Sequence, residues 1–556
     1  MELPAFYVYP VEQREFPDVQ RQLDLQVCDM LPEPSVLVNE VYRALCPNRP
    51  LPKPRYATLR TLYDPSHPPT KDSILDSSAL ILYFPAPKSV TGEDVLELHV
   101  HGGPAVIKAV LAAISRCAPP AKARSIRYAE PGEFTRRAFI NDRLDLTQVE
   151  ALGDTLSATT EQQRRLSVRG TTSGPGKRYE SWRQQLLYAR GELEALIDFS
   201  EDQHFDESPA QLVTSVAAQV QALRRQIKAH SANAVRGELL RNGISISLLG
   251  APNAGKSSLL NRIVGREAAI VSKEAGTTRD VVEIGLDIGG WYCKLGDMAG
   301  LRSGSAADKI SAFPHTSLEK PLVGEVEQEG IRRAKQRALE SDILIIVLSV
   351  EPDPNGPGYH LPVDHSVQKT ASLALNSHKN ALVVVNKIDL LPPPKPSDSD
   401  TYTAPILAAL PSLNPSEIFP ISCKRAHDAD AKDGGDPGGI QAFLGGLVRK
   451  FKDMTEAVGV DGGGLLEDYQ EALGATERQR VLLDECLWHL DEFIGVVTSA
   501  PVVEGNPRVS GGRGGEEIDI VLAAESLRAA AECLARITGR GEAGDVEEVL
   551  GVVFEK

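Results

Sequence analysis

A glycine-rich segment near the middle of the chain constrains the possible folds most strongly. It reads Gly-Ala-Pro-Asn-Ala-Gly-Lys-Ser over residues 250–257, follows the apolar run from Ile244 to Leu249, and precedes a helix-like stretch. Between a strand and a helix, this spacing is that of a phosphate-binding loop, whose backbone N–H groups surround a β-phosphate. The sequence therefore predicts a nucleotide-binding α/β domain at this point.

The side chains of this loop have distinct expected roles. Lys256 is predicted to place its charge on the β- and γ-phosphate oxygens and to act in catalysis, and the Ser257 hydroxyl is predicted to ligate Mg²⁺. A chance glycine-rich turn is the alternative, which the strand-and-helix context disfavours. The predicted nucleotide contacts here are Asn253, Ala254, Gly255, Lys256, Ser257 and Ser258.

Three further motifs follow in the order that GTP-binding domains use. Asp297-Met-Ala-Gly300 predicts a carboxylate near Mg²⁺ and an amide near the γ-phosphate. Asn386-Lys387-Ile-Asp389 follows an apolar strand, and its Asp389 can accept two hydrogen bonds from guanine that adenine cannot offer. The tripeptide Ser422, Cys423 and Lys424 stands where backbone contacts to guanine O6 are usual. Together the motifs predict GTP with Mg²⁺.

Periodicity places this domain inside a larger chain. Strands are predicted near 281–288, 292–296, 343–348 and 381–385, helices from 146 to 234 and after 467, and an α/β domain around 79–101. The predicted fold class is multidomain α/β plus all-α. The predicted domains are a divergent or poorly ordered amino terminus (1–50), an α/β domain (51–143), a helical domain in two parts (144–238 and 453–556) and an inserted Ras-like doubly wound domain (239–452).

Composition excludes several classes of protein. The net charge of −16 over 556 residues argues against a general nucleic-acid coat, because phosphate binding relies on a cationic surface. The seven cysteines are scattered without CxxC spacing, so neither a disulfide framework nor a zinc ribbon is predicted. No apolar run approaches the roughly 20 residues of a membrane span, so a soluble protein without membrane insertion is expected.

Longer blocks resemble one family. Gly276-Thr-Thr-Arg-Asp280, YFPAPKSVTGEDVLELHVHGGP (83–104), AEPGEFTRRAFINDRLDLTQVEA (129–151) and LARITGR (534–540) are similar to the tRNA-modification GTPase family called MnmE or TrmE. The resemblance implies a folate-binding-like amino-terminal domain, a helical-bundle domain completed by the carboxyl-terminal segment, and the inserted GTPase.

The resemblance also implies a potassium-dependent hydrolysis. Asn253, Ser272, Glu274 and Thr277 match the family's K⁺ ligands, Thr278 matches a Mg²⁺ ligand, and Thr277 and Thr278 are counted with the GTP contacts. Glu327 matches the acidic residue that orients the attacking water, a solvated helix carboxylate being the alternative. Met298 replaces the family's Thr, and residues 303–323 form an insertion that lengthens this region.

In the amino-terminal domain, Glu97 and Arg143 match residues that hold 5-formyl- or methylene-tetrahydrofolate in the family. A metal site formed by Glu97, His99 and His101 on one strand face is a less favoured alternative. A phosphate-binding strip of basic residues is a further possibility, with a solvated helical face as the simpler reading. Its members are Arg136, Arg137, Arg143, Arg164 and Arg165.

Function follows from the resemblance as an expectation. A homodimer would act with an FAD-dependent MnmG/GidA-like partner to modify C5 of the wobble uridine, U34, of tRNA, and the insertions favour a mitochondrial member, with the cytoplasm as the alternative. The family's amino-terminal glycine-rich strand and its carboxyl-terminal Cys are not matched here. The second hypothesis is therefore a GTPase switch or an RNA or ribosome assembly factor without modification chemistry.

Overall fold

A computed structural model describes most of the chain. The described residues are 5–10, 23–27, 34–117, 126–171, 174–199, 209–264, 268–273, 284–296, 336, 338–353, 358–377, 380–391, 400–428, 436, 438–458, 470–498 and 519–540. In this part of the chain, no helix combines the length and apolarity that crossing a membrane requires.

The described elements alternate between strands and helices. The strands are β1 (Ala5–Pro10), β2 (Leu23–Val27), β3 (Thr58–Tyr63), β4 (Ile74–Phe84), β5 (Val95–Val100), β6 (Ile126–Tyr128), β7 (Ile244–Leu249), β8 (Ala269–Lys273), β9 (Ile284–Ile288), β10 (Trp291–Leu295), β11 (Ile343–Ser349), β12 (Glu351–Pro352), β13 (Tyr359–His360), β14 (Asn380–Asn386) and β15 (Ile418–Pro420). The helices are α1 (Pro34–Leu45), α2 (Pro104–Arg116), α3 (Glu133–Ile140), α4 (Leu146–Ser157), α5 (Glu161–Gly170), α6 (Gly174–Phe199), α7 (Pro209–Asn242), α8 (Lys256–Arg262), α9 (His365–Asn376), α10 (Asp400–Ala409), α11 (Cys423–Asp428), α12 (Ile440–Thr455), α13 (Glu477–Thr498) and α14 (Ile520–Thr538).

The chain divides into two compact units. The first comprises Met1–Gly153, Thr171–Val220 and Trp488–Lys556, and the second comprises Asp154–Gly170 and Gln221–Leu487. The structure combines two large sheets, whose strands alternate with helices along the chain, and several long helices. This confirms the predicted fold class, multidomain α/β plus all-α.

The first unit is built on a six-stranded sheet of order β3-β4-β5-β1-β2-β6. Alternate residues of β5, including Leu96 and Leu98, are buried in a core that α1 and α2 cover, while Glu97 and His99 lie on the opposite face and are partly exposed. Apart from this sheet, α6 packs against α14, and both helices bury apolar residues such as Leu186 and Leu534.

Within residues 1–50, the described part of the chain forms two strands and one helix. Strand β1 pairs in parallel with β5 and antiparallel with β2, which places both in the middle of the sheet. Helix α1 buries Val38, Val41 and Tyr42 in the core. Pro34 opens the helix and Pro10 closes a strand, positions where a missing N–H does little harm.

The second unit contains a seven-stranded sheet of order β15-β14-β11-β7-β10-β9-β8. β10, β7, β11, β14 and β15 run parallel, whereas β8 and β9 are antiparallel additions at one edge. Every residue of β11 is buried: Ile343 and Ile345 face one apolar core, and Leu344 and Ile346 face a second core that includes residues of α9. Burial on both faces explains why this strand is an unbroken apolar run.

The nucleotide domain is anchored at its carboxyl-terminal end to the helix that leads into it. The Asn233 side chain of α7 donates to the Val458 carbonyl over 3.1 Å and accepts from the Val458 N–H over 2.9 Å. Three residues later, Arg236 donates to carbonyls at the end of α12, including that of Glu456 at 3.0 Å. The compact units therefore differ from the predicted domain boundaries: residues 154–170, 221–238 and 470–487 cluster with the nucleotide domain.

Candidate nucleotide-binding site

A cavity of about 550 Å³ opens at the carboxyl ends of β7 and β14. Parallel strands in doubly wound sheets bind ligands at this edge. The cavity gathers residues from three of the four predicted motifs, which lie far apart in sequence. It is lined by Asn253, Gly255, Lys256, Ser257, Ser258, Asn386, Lys387, Asp389, Leu390, Cys423 and Lys424.

The phosphate-binding loop turns sharply before α8. Asn253 and Gly255 both have positive φ, 63° and 97°. A Cβ at Gly255 would lie 2.0 Å from Nδ2 of Asn386, so this position has no room for a side chain. The Lys256 ammonium donates to the carbonyls of Gly250 and Ala251, at 2.7 and 2.8 Å, which holds the cation within the loop.

The other end of the cavity is organised by buried polar residues. Asn386 donates from Nδ2 to the Ala254 carbonyl at 3.1 Å and accepts from the Lys387 N–H at 2.8 Å. Ser422, which is fully buried, donates its hydroxyl to Oδ1 of Asp389 at 2.6 Å. This bond orients the carboxylate at the cavity wall, where it can accept hydrogen bonds from a purine carrying adjacent N–H groups.

Cys423 contributes a neutral side chain to this wall. Burial raises the pKa of its thiol to about 11, so the group stays protonated at neutral pH. Its backbone N–H lies 3.4 Å from Oδ1 of Asn386. Within the tripeptide, Ser422 therefore positions Asp389, while Cys423 and Lys424 line the cavity.

Sequence reasoning missed Leu390 as a lining residue. It follows the base-recognition motif directly, and its place beside Asp389 was the available signal. The predicted contact Ala254 lies behind the wall with 1% of its surface exposed. Ser272 pairs in β8 with Gly285 of β9, and its side chain is not described. Six predicted residues lie outside the described part of the chain: Glu274, Thr277, Thr278, Asp297, Gly300 and Glu327.

The amino-terminal candidates have separate partners. The Glu97 carboxylate lies 3.3 Å from Nε2 of His99, whereas Arg143 donates from Nε to the Ser89 carbonyl at 3.1 Å. His101 instead pairs with Asp76 at 2.9 Å, which separates it from the Glu97–His99 pair and disfavours the three-residue metal site.

Three of the five arginines of the predicted basic strip pair with carboxylates. Arg137 is buried and donates to Glu93 at 2.8 Å, while Arg164 and Arg165 both bind Glu161 on their own helix at 2.8 and 2.7 Å. Three of the five arginines therefore already have carboxylate partners, with Arg164 and Arg165 sharing one, which disfavours the reading of these residues as one phosphate-binding strip.

Two family models match the chain. The model described as the GTP-binding protein TrmE N-terminus matches residues 35–143, and the model described as the MnmE helical domain matches residues 146–556. The chain belongs to the MnmE family of tRNA modification GTPases. The predicted family is thereby confirmed, and with it the assignment of the chain as a GTPase.

Curated relatives agree with this membership. The chain is 36% identical over 91% of its length to a tRNA modification GTPase MnmE of Paramagnetospirillum magneticum, covering 91% of that protein. It is 35% identical over 91% of its length to the mitochondrial 5-taurinomethyluridine-[tRNA] synthase subunit GTPB3 of Danio rerio, covering 85%. It is 32% identical over 93% of its length to the mitochondrial tRNA modification GTPase MSS1 of Saccharomyces cerevisiae, covering 87%.

Proposed function

We propose that this protein couples GTP hydrolysis to modification of C5 of the wobble uridine, U34, in tRNA. The observation that carries the proposal is the single cavity in which Lys256 of the phosphate-binding loop and Asp389 of the base-recognition motif meet. Relatives named as tRNA modification GTPases over nine-tenths of the chain support the substrate class.

The residues at the phosphate end fit the cations that such hydrolysis uses. Ser257 and Asn253 line the cavity and present hydroxyl and amide oxygens, the ligand type that Mg²⁺ and K⁺ take. Ser257 with Thr278 would hold Mg²⁺, and Asn253 with Ser272, Glu274 and Thr277 would hold K⁺. When bound, these cations neutralise charge on the phosphate oxygens.

Each side chain of the site has a separate role in the proposed hydrolysis. Lys256 binds the β- and γ-phosphate oxygens, and Asp389 selects guanine. In this proposal Asp297 lies near Mg²⁺ and the Gly300 amide lies near the γ-phosphate. Glu327 orients the attacking water by accepting a hydrogen bond from it. Positioning and charge stabilisation supply most of the rate enhancement in phosphoryl transfer.

The modification chemistry is assigned to the amino-terminal unit. Glu97 has about one-fifth of its side chain exposed, and Arg143 is exposed, so both can reach a ligand. A carboxylate can accept from the N–H edge of a pterin, which fits 5-formyl- or methylene-tetrahydrofolate as the one-carbon donor. A homodimer acting with an FAD-dependent MnmG/GidA-like partner completes the proposed complex.

A mitochondrial location is part of the proposal, with the cytoplasm as its alternative. Four similar eukaryotic relatives, from zebrafish, human and two yeasts, carry mitochondrial names. Imaging a carboxyl-terminal fluorescent fusion of the natural gene product in its own cells decides between the two compartments.

The deciding experiment compares GTP hydrolysis in KCl and in NaCl, with Glu327→Ala as the control. The proposal expects strong stimulation by K⁺ that the variant loses, whereas equal rates in both salts would remove the potassium assignment. Mass spectrometry of tRNA nucleosides, after incubation with a flavoprotein partner and folate, then tests the modification itself. Hydrolysis without a modified uridine would instead favour a GTPase switch or assembly factor.

A further inference from the structure

The hairpin formed by β9 and β10 joins two segments that the proposed function places at the nucleotide. β9 begins directly after residues 274–283, and β10 ends two residues before Asp297. Its turn, at Gly289 and Gly290, lies at the opposite end of both strands, about 17 Å away for five residues at a rise of ~3.4 Å each. A change in either segment can therefore tilt the hairpin and displace its turn.

Helix α5 lies against this turn. The Gln162 N–H donates to the Gly290 carbonyl at 3.1 Å. Gly290 has φ of 93°, and a Cβ there would lie 3.7 Å from Cβ of Glu161, an ordinary contact distance. One turn further along α5, Leu166 is 5% exposed and lies in the same apolar core as Trp291 of β10. Main-chain bonding and apolar packing together connect the helix to the hairpin.

Gln163 connects α5 to the end of α7. Its Oε1 accepts from the N–H groups of Thr159 and Thr160, at 3.0 and 3.1 Å, which fixes the start of the helix. Its Nε2 donates to the carbonyl of Arg241 at 2.9 Å. The side chain is 9% exposed, so water competes little for these bonds and their geometry is restricted.

Arg241 forms hydrogen bonds with both helical segments that flank the nucleotide domain. Its Nε donates to the carboxylate of Asp154, before the nucleotide domain, at 2.6 Å. Its other two nitrogens donate to the carbonyls of Gly474 and Ala475, after the nucleotide domain, at 2.9 and 3.0 Å. A planar guanidinium with bonds in several fixed directions holds its partners in one relative arrangement.

We infer that Gln163 and Arg241 are positioning residues that transmit nucleotide-dependent movement of the hairpin to the helical segments at Asp154 and at 474–475. The inference deepens the proposed function and rests on it, because it concerns how the state of the nucleotide reaches the helical segments that flank the nucleotide domain. The route is one unbroken series of contacts: hairpin turn, α5, Arg241, helical segments. Demonstrating that it carries coupling requires a measurement at its far end.

Hydrogen–deuterium exchange of the full chain supplies that measurement. With GDP and then a non-hydrolysable GTP analogue, the wild type is expected to change exchange both in residues 250–257 and in residues 470–487. In Gln163→Leu, which keeps the side-chain volume but removes both polar atoms, the change at 250–257 stays and that at 470–487 is lost. The matched control is Arg164→Gln, an exposed residue of the same helix, which should behave as wild type.

Two more variants separate coupling from simple stabilisation. Gln163→Glu keeps the acceptor for Thr159 and Thr160 but loses the donor to the Arg241 carbonyl, so the start of α5 is retained while the distant exchange change is lost. Arg241→Lys keeps the charge but not the fixed directions of the bonds, and it should also lose that change. Thermal unfolding of each variant, read beside the exchange data, shows that the fold is intact.

Two results would overturn the inference. One is a distant exchange change that persists in Gln163→Glu and Arg241→Lys, since the bonds would then be structural alone. The other is a wild type that changes at 250–257 without changing at 470–487. A wild type without any nucleotide effect at 250–257 has a different meaning: the nucleotide site itself, and with it the proposed function, would be wrong.

Discussion

The side-chain amide of Asn386 donates a hydrogen bond to the carbonyl oxygen of Ala254 over 3.1 Å. Both residues are buried, with 3% and 1% of their surfaces exposed. The bond joins the end of β14 to the phosphate-binding loop, although 132 positions separate the partners in sequence. Base recognition and phosphate binding therefore depend on one shared contact.

Replacing Asn386 with Ala should weaken GTP binding about 5- to 150-fold, because an unsatisfied buried carbonyl costs ~1–3 kcal/mol. Titration with a fluorescent GTP analogue measures the affinity. Asn380→Ala, at the opposite end of the same strand, is the control and should bind as wild type. Equal affinities for the two variants would mean that the buried bond does not position the loop.

Asp389→Asn should exchange guanine for xanthine specificity. The carboxylate accepts from guanine N–H groups, whereas an amide can donate to the carbonyl that xanthine carries at that position. GTP hydrolysis at low substrate concentration should fall, and XTP hydrolysis should rise. Competition between the two nucleotides for the labelled site measures the change, and a variant that still prefers GTP would contradict the assigned role of Asp389.

Glu93→Gln should destabilise the amino-terminal unit by about 3 kcal/mol, because it removes the nearer carboxylate partner of a buried arginine and leaves only Glu133, at 3.8 Å, to compensate the charge. Glu93 accepts from Arg137 at 2.8 Å, and both side chains are almost fully buried. The midpoint of urea unfolding, followed by circular dichroism, measures the loss. The exposed Glu130→Gln is the matched control, and similar midpoints for the two variants would show that the ion pair contributes little.

Acid should remove the stabilisation that Asp76 provides. Burial alone would raise the pKa of Asp76, but hydrogen bonds from the Ser78 and His101 backbone N–H groups and the His101 ring outweigh it and hold the pKa below 3.8. A carboxyl whose pKa is lower in the folded state stabilises the fold above its ordinary pKa, and this contribution disappears as the pH falls through the folded value.

Asp76→Asn should therefore unfold more easily than wild type at pH 7, by about 1.5–3 kcal/mol for a lost hydrogen bond to a charged group. The difference should shrink as the pH is lowered through and below 3.8. Urea unfolding across this pH range measures it, with the exposed Asp72→Asn as the control. A difference that is the same at every pH would assign the effect to packing.

Sequence reasoning located the nucleotide domain closely because its strands are buried on both faces. Residues 343–348 and 381–385 were predicted as strands, and the structure has Ile343–Ser349 and Asn380–Asn386. The motifs at Lys256 and Asp389 were assigned to one site from their order along the chain, and they do meet in one cavity, where parallel strands end at the same edge. The fixed spacing of motif residues and the continuous apolar runs of buried strands are local patterns. They can therefore be recognised in a single sequence.

Contacts between distant segments could not be predicted in this way. Arg137 was grouped with surface arginines because helical periodicity does not reveal a partner 44 positions away, namely Glu93. The docking of α5 on Gly290 was missed for the same reason: its helical pattern predicts an apolar face but not which element covers that face. Strands β1 and β2 were missed because the prolines between positions 32 and 54 made the whole amino-terminal segment read as poorly ordered.

The two hydrogen bonds between Asn233 and Val458 also bear on how the chain can fold at all. For the flanking helices, a long intervening segment is a loop to be closed, and the closure entropy of a loop rises with the logarithm of its length. Because the folded insert returns to the helix from which it departs, it acts on its host as a link of only a few residues would. The helices before and after the insert can then pack together whatever the length of the insert. This point of the chain is therefore tolerant of insertion.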